Sequence, residues 1–71
     1  MNLIEASKGT TYLIKEIVAE DNIKDFLHTL GCIDDEEITL VSKISSNLII
    51  NVKDSRYAID KNIAKCIFLY D

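Results

Sequence analysis

The clearest secondary-structure signals of the sequence lie in "DFLHTLGCIDDEEITLV", residues 25–41. It completes a helix whose apolar residues follow the i, i+3, i+4, i+7 spacing of one helix face. Those apolar residues are Ile23, Phe26, Leu27 and Leu30. Gly31 comes directly after them, where a left-handed residue ends many helices and Gly has the lowest steric cost. The stretch therefore predicts an amphipathic helix of about three turns, followed by a strand that starts near Ile38.

On both sides of this stretch, short segments rich in β-branched and aromatic residues alternate with turn signals. The predicted strands cover residues 10–18, 38–44, 47–52, 56–59 and 66–70. The predicted turns are Ser7-Lys8-Gly9, Ser45-Ser46-Asn47 and Asp54-Ser55. Glu20-Asp21-Asn22 is predicted to supply the cap of the amphipathic helix, and Asp60 the cap of one further helical turn. The sequence thus predicts a mainly β fold with one short helix. Five short strands in so small a chain favour a strongly bent sheet or partly open barrel, since closure hides strand edges.

Length and composition limit the possible functions. Seventy-one residues predict a single domain over 1–71 with a small core. The formal net charge is -4 and Lys and Arg do not cluster, so we expect no nucleic-acid partner. The longest unbroken apolar run is residues 66–70, which predicts no membrane insertion. Without a secretion signal we expect a cytoplasmic protein with two reduced cysteines and no disulfide.

The opening stretch also raises the question of a metal site, because His28, Cys32 and four acidic residues at 34–37 lie close together in sequence. His28 falls roughly 130 to 140° from the centre of the apolar helix face, towards solvent. Cys32 follows Gly31, where an apolar side chain packs back onto the last helical turn. We therefore predict a solvated turn with no metal or cofactor, and interpret Cys66 as a small buried hydrophobe rather than a reactive thiol.

Catalysis has little support in this sequence. The only His lacks a nucleophile and an orienting carboxylate in a recognisable pattern, and the glycines form no phosphate-binding loop. We expect no enzyme. Side chains that folding explains least are the candidates for binding a partner, although each is equally well interpreted as a solvated residue. These are Lys24 and His28 on the outer helix face, Ser46 and Asn47 in the hairpin, and Arg56 beside its turn.

The ordered segments "LIEASKG" (3–9), "LHTLGCIDDEEITLVSKI" (27–44), "LIINVKDSRYAID" (48–60) and "IAKCIFL" (63–69) carry a resemblance. Over nearly the whole chain they resemble the ferrous iron transport protein A family, FeoA. The family's helix end, L-x-x-L-G followed by an apolar residue, is matched by Leu27, Leu30, Gly31 and Cys32. Its first segment, L-x-x-L-x-x-G, is matched loosely by Leu3, Ala6 and Gly9, and its last, A-x-x-I, by Ala64 and Ile67.

The resemblance implies an SH3-like β-barrel and a cytoplasmic, non-enzymatic accessory of FeoB, the membrane ferrous iron permease with a GTP-binding domain. It also implies a second interpretation, because the same fold forms the C-terminal domain of some metal-dependent repressors: a metal-binding or metal-sensing domain. The chain departs from the family where Asp34-Asp35 replaces Pro-Gly, where the hairpin at residues 45–47 is short, and where Asp54 or Ser55 replaces Gly.

Overall fold

The computed structural model describes all 71 residues. The strands are β1 (Thr11–Ile17), β2 (Glu37–Ile44), β3 (Asn47–Val52), β4 (Ser55–Asp60) and β5 (Ile67–Leu69), and the helices are α1 (Asp21–Leu30) and α2 (Lys61–Ala64). A 3-10 turn covers Leu3–Glu5. The five strands form one antiparallel sheet in the order β4-β3-β2-β1-β5. The predicted fold class is confirmed: a mainly β chain with one short amphipathic helix.

The sheet bends because β1 changes partner along its length. Its first half pairs with β2 from Thr11 to Leu13, and its second half pairs with β5 from Ile14 to Ile17. The register shifts between Ile14 and Glu16, and an irregularity of this kind bends a strand and increases its twist. The bulge explains why apolar and polar residues alternate only partly in this strand.

The concave side of the sheet encloses the core. Fifteen side chains are buried there and none is polar or charged. The fully buried large residues include Leu3 before β1, Leu27 on α1 and Ile50 on β3. Buried residues alternate with more exposed ones along β3 and β5. No polar site lies inside this core, so the outer surface carries the functional candidates.

Two-residue turns join β2 to β3 and β3 to β4, and their backbones are left-handed at several positions. Ser45 has φ 57°, while Lys53 and Asp54 have φ 50° and 62°. Two successive positive φ values are typical of a type I′ turn, which matches the twist of the flanking strands. The second turn lies at Lys53-Asp54, between the paired residues Val52 and Ser55, one residue earlier than predicted.

Helix starts were predicted less well than helix ends. Glu20 occupies the N-cap position of α1 but makes no side-chain hydrogen bond there, so the predicted capping interaction is wrong. The helix already begins at Asp21, so that carboxylate lies inside the first turn. There its negative charge interacts favourably with the positive end of the helix dipole, but it does not cap a backbone amide. Asp60 does cap α2, accepting from the Asn62 amide at 2.7 Å.

An unpredicted cap orders the N-terminal 3-10 turn. The Asn2 side chain accepts from the Ile4 amide at 3.0 Å, and Glu5 Oε1 accepts from the Asn2 amide at 2.9 Å.

None of the helices is both long enough and apolar enough to cross a membrane.

Candidate functional site

The end of α1 is built as the sequence predicts. Gly31 has φ 106°, and its amide donates to the His28 carbonyl at 3.0 Å. The Cys32 amide donates to the Leu27 carbonyl at 2.9 Å. These two bonds form a Schellman motif, in which the residue after the glycine packs against the last helical turn. Cys32 is accordingly fully buried, which confirms its structural role.

The potential metal ligands of residues 28–37 point in different directions. His28 is exposed on α1 while Cys32 is buried in the core. Burial, with a smaller contribution from the Glu36 charge, raises the pKa of the Cys32 thiol to about 11. No group of three or more His, Cys, Asp or Glu side chains is arranged to hold a metal ion. The other thiol, Cys66, is half-buried, packs against the core, and donates to the Asn62 carbonyl at 3.6 Å.

Glu36 has a specific partner instead. Its Oε1 atom lies 2.7 Å from Lys53 Nζ. The hydrogen bond from Lys53 lowers the pKa of the Glu36 carboxyl, and the charge of Lys53 acts in the same direction. This pair joins the segment after α1 to the β3–β4 turn.

An open depression lies beside α1. It has a volume of about 530 Å³, and we call it the α1 depression. Its lining residues are Glu16, Ile17, Lys24, His28, Ile33 and Asp34. Lys24 and His28 are one helical turn apart and both line it, so the structure brings these two predicted partner residues together. Ile33 is 40% exposed, which gives the depression an apolar patch beside charged side chains.

A second depression, of about 780 Å³, covers the outer face of the sheet. A polar row crosses four strands there, because Thr11 pairs with Thr39, Thr39 with Asn51, and Asn51 with Arg56. The Oγ1 atoms of Thr11 and Thr39 are 2.8 Å apart, and Arg56 Nε donates to Asn51 Oδ1 at 3.0 Å. Arg56 is therefore held by its neighbour in this row.

The five predicted partner residues do not form one patch. Ser46 and Asn47 lie in and beside the β2–β3 turn, where Asn47 pairs with Asp60. Arg56 pairs with Asn51, four residues further along β3, which is roughly 13 Å away at the rise of a strand. Lys24 and His28 lie in the α1 depression. The prediction that these side chains bind a partner now concerns three separate places.

Sequence reasoning missed the other residues of the α1 depression. Glu16 and Ile17 end β1, while Ile33 and Asp34 follow α1, so only the fold brings them beside the helix. One signal was present in the sequence. If Cys32 packs inward after Gly31, its neighbour Ile33 is left on the surface beside the charged residues that follow.

The model of the FeoA domain matches residues 1–71. The chain belongs to the FeoA family. This family is associated with ferrous iron transport and is not a class of enzymes. The match spans the same residues as the predicted resemblance and confirms it.

Solved structures support the same assignment. The chain is similar to Stenotrophomonas maltophilia FeoA complexed with zinc, described as a prokaryotic SH3 domain protein, with 26% identity, a TM-score of 0.87, and coverage of 99% of this chain and 89% of that one. It is also similar to an iron uptake regulatory protein (FeoA), with 23% identity, a TM-score of 0.89, and coverage of 97% and 93%. The predicted SH3-like fold is thereby confirmed.

A more distant likeness, in fold, is to part of a transcriptional repressor. A manganese-dependent transcriptional repressor has 12% identity and a TM-score of 0.88, with coverage of 97% of this chain but 40% of that one. At this identity the likeness shows the fold alone. No curated protein matches the sequence.

Proposed function

We propose that this FeoA chain is a cytoplasmic, non-enzymatic accessory that binds the cytoplasmic portion of a FeoB-type membrane iron permease and supports or regulates ferrous iron uptake. The observation that carries this proposal is the family match over residues 1–71. Because no polar or charged side chain is buried in the core, a partner would recognise the outer surface of this barrel.

The α1 depression is the best candidate for the permease contact. Ile33, which is 40% exposed, gives it apolar surface, and Lys24, His28, Glu16 and Asp34 line it beside this residue. Protein interfaces commonly combine an apolar centre with a polar rim. Small-molecule sites instead enclose most of their ligand, and this depression is open to solvent. Its composition and shape therefore suit a side chain of another protein.

The other predicted partner residues lie outside the α1 depression and would form two further contacts. Ser46 and Asn47 would contact the permease from the β2–β3 turn, and Arg56 from the sheet. Since these places are far apart, substitutions in one group leave the others intact, and each group is tested by itself.

A complementation experiment tests the proposed function. Cells lacking their own copy of this gene should regain ferrous iron uptake with the wild-type chain and lose most of it with Lys24→Gln and His28→Gln together. Asn22→Gln with Thr29→Gln is the matched control, because both residues are exposed on α1 and lie on the opposite flank by helical geometry. Normal uptake with the first pair would refute the α1 depression as the contact surface.

A second candidate function is metal binding, favoured by the zinc complex of the S. maltophilia relative. Calorimetric titration with ferrous, manganous or zinc ions under reducing conditions separates the two candidates. The accessory proposal expects no affinity tighter than about 100 µM, near 5.5 kcal/mol. Tight one-to-one binding that His28→Gln abolishes would favour a metal-binding or sensing domain instead.

A further inference from the structure

The two edge strands of the sheet differ in whether another segment of the chain pairs with their outer side. At the β5 edge, the Leu69 amide donates to the Met1 carbonyl at 2.8 Å, and Asn2 bridges to Phe68. The N-terminal residues therefore cover that edge. β4 is the other end strand and pairs only with β3. An uncovered edge presents backbone donors and acceptors that can pair with another strand.

The hairpin register identifies which backbone groups face outward from β4. Val52 and Ser55 close the two-residue turn, so they form a hydrogen-bonded pair, and such pairs then alternate along the ladder. The bond from the Lys61 amide to the Ser46 carbonyl, at 2.9 Å, continues the same alternation. The amides of Arg56, Ala58 and Asp60 and the carbonyls of Arg56 and Ala58 consequently point away from β3. The Asp60 carbonyl is used differently, because Asp60 is the N-cap of α2 and its carbonyl accepts the first helical bond.

We propose that two copies of this chain associate through their β4 edges, antiparallel about a two-fold axis at Ala58. In that register Ala58 faces its own copy, and Arg56 of each copy faces Asp60 of the other. The outward-facing backbone groups of both strands then pair with one another. This inference is independent of permease binding.

The charges on β4 favour this register over its neighbours. Arg56, Ala58 and Asp60 lie two residues apart, so their side chains share one face of the strand. The strand thus has a cation at one end, an anion at the other, and a small exposed residue between them. An antiparallel copy centred on Ala58 pairs opposite charges twice, and directly opposed charges of unlike sign stabilise strand pairing. A shift of two residues loses both pairs.

Both side chains keep atoms free for the contact. Arg56 uses Nε for Asn51, which leaves its two terminal amino groups. Asp60 uses Oδ1 to cap α2, which leaves the second carboxylate oxygen. The helix α2 follows β4 directly and contacts β4, β3 and the N-terminal 3-10 turn, so it turns from the end of β4 towards the body of the barrel. The association should be weak, because one short edge buries far less than a stable interface.

Engineered cysteines test the proposed axis. In a Cys66→Ser background, Ala58→Cys places two thiols opposite each other in a hydrogen-bonded pair, about 5.5 Å apart at Cα, within disulfide range. Ser55→Cys is the matched control on the same exposed strand, since its two copies would be roughly 20 Å apart. Under mild oxidation at high protein concentration, Ala58→Cys should form the cross-linked dimer at least tenfold faster than Ser55→Cys. Equal rates would overturn the proposal.

A charge test uses the same cross-link as its readout. Adding Arg56→Glu to Ala58→Cys should slow cross-linking, because two pairs of like charges then face each other. Lys65→Glu changes the net charge equally at an exposed site outside β4 and should leave the rate unchanged. An Ala58→Cys rate unaffected by Arg56→Glu would contradict the register. Circular dichroism of each variant checks that the fold is retained.

Discussion

The aliphatic stem of Lys53 lies directly against Gly31: its Cγ atom is 2.7 Å from the position that a β-carbon on Gly31 would occupy. The same lysine binds Glu36 through its Nζ atom at 2.7 Å. The β3–β4 turn is thereby packed onto the end of α1 and tied to the segment that follows it. Gly31 is required here for two reasons, its left-handed backbone and the space that Lys53 fills.

Substitutions at the two glycines separate these reasons. Gly9 has φ 81° with nothing within 4 Å of an added β-carbon, whereas Gly31 has φ 106° and the Lys53 contact. Gly9→Ala should therefore cost only backbone strain, about 1 kcal/mol. Gly31→Ala should cost more, and Gly31→Val should also exceed about 1 kcal/mol, in the free energy of unfolding measured with denaturant.

Lys53→Ala provides the control for this comparison. It removes the atoms nearest to the added β-carbon, so Gly31→Ala should be less destabilising in that background than in the wild type. Equal costs for the two glycine substitutions would contradict the packing of Lys53 on Gly31.

Acid should weaken the link between Glu36 and Lys53. Lys53 lowers the pKa of the Glu36 carboxyl in the folded state below its usual 4.5. The pair therefore stabilises the fold above the ordinary glutamate range, and this contribution is lost as the pH falls through that range and below it. Unfolding midpoints from pH 7 down to pH 3 should fall more steeply for the wild type than for Glu36→Gln. Parallel curves would refute a stabilising pair.

The two thiols should differ in reactivity. Burial raises the pKa of Cys32 to about 11, so at pH 8 its thiolate fraction is lower than that of an ordinary thiol on the order of a hundredfold. Cys66 is partly exposed. Iodoacetamide should modify Cys66 in the folded chain and Cys32 only after denaturation, as read by mass spectrometry of digested protein. Rapid modification of Cys32 under native conditions would contradict its place in the core.

Local sequence signals predicted most of the fold. The apolar spacing and Gly31 located α1 and its end, and the strands were predicted to within one or two residues. The missed features depend on tertiary contacts. Neither the bulge after Ile14 nor the pairing of Lys53 with Glu36 has a local signal, since each depends on which strands meet.

The candidate site was predicted only in part for the same reason. Side-chain exposure on α1 follows from helical angle, so Lys24 and His28 could be placed on its outer face. The depression that they line also needs β1 and the segment after Gly31, and sequence periodicity does not bring these together. Arg56 was predicted as a surface residue, but its position at an uncovered sheet edge follows only from the strand order.

Salt should weaken permease binding. The chain carries a formal net charge of -4, which favours a basic patch on the partner and speeds encounter. Exposed charges are screened over about 10 Å at 0.1 M salt, so the association rate should fall as salt is raised, with a smaller change in the dissociation rate. An association rate independent of salt would argue against electrostatic steering.

The accessory function is tested by binding of the purified chain to the purified cytoplasmic portion of the permease. Biolayer interferometry should detect saturable binding of the wild type and of the Asn22→Gln, Thr29→Gln control, and at least tenfold weaker binding of the Lys24→Gln, His28→Gln variant, with all three chains folded. Equal binding by the three chains would place the contact elsewhere. If the folded wild-type chain does not bind the permease at all, the accessory function is contradicted.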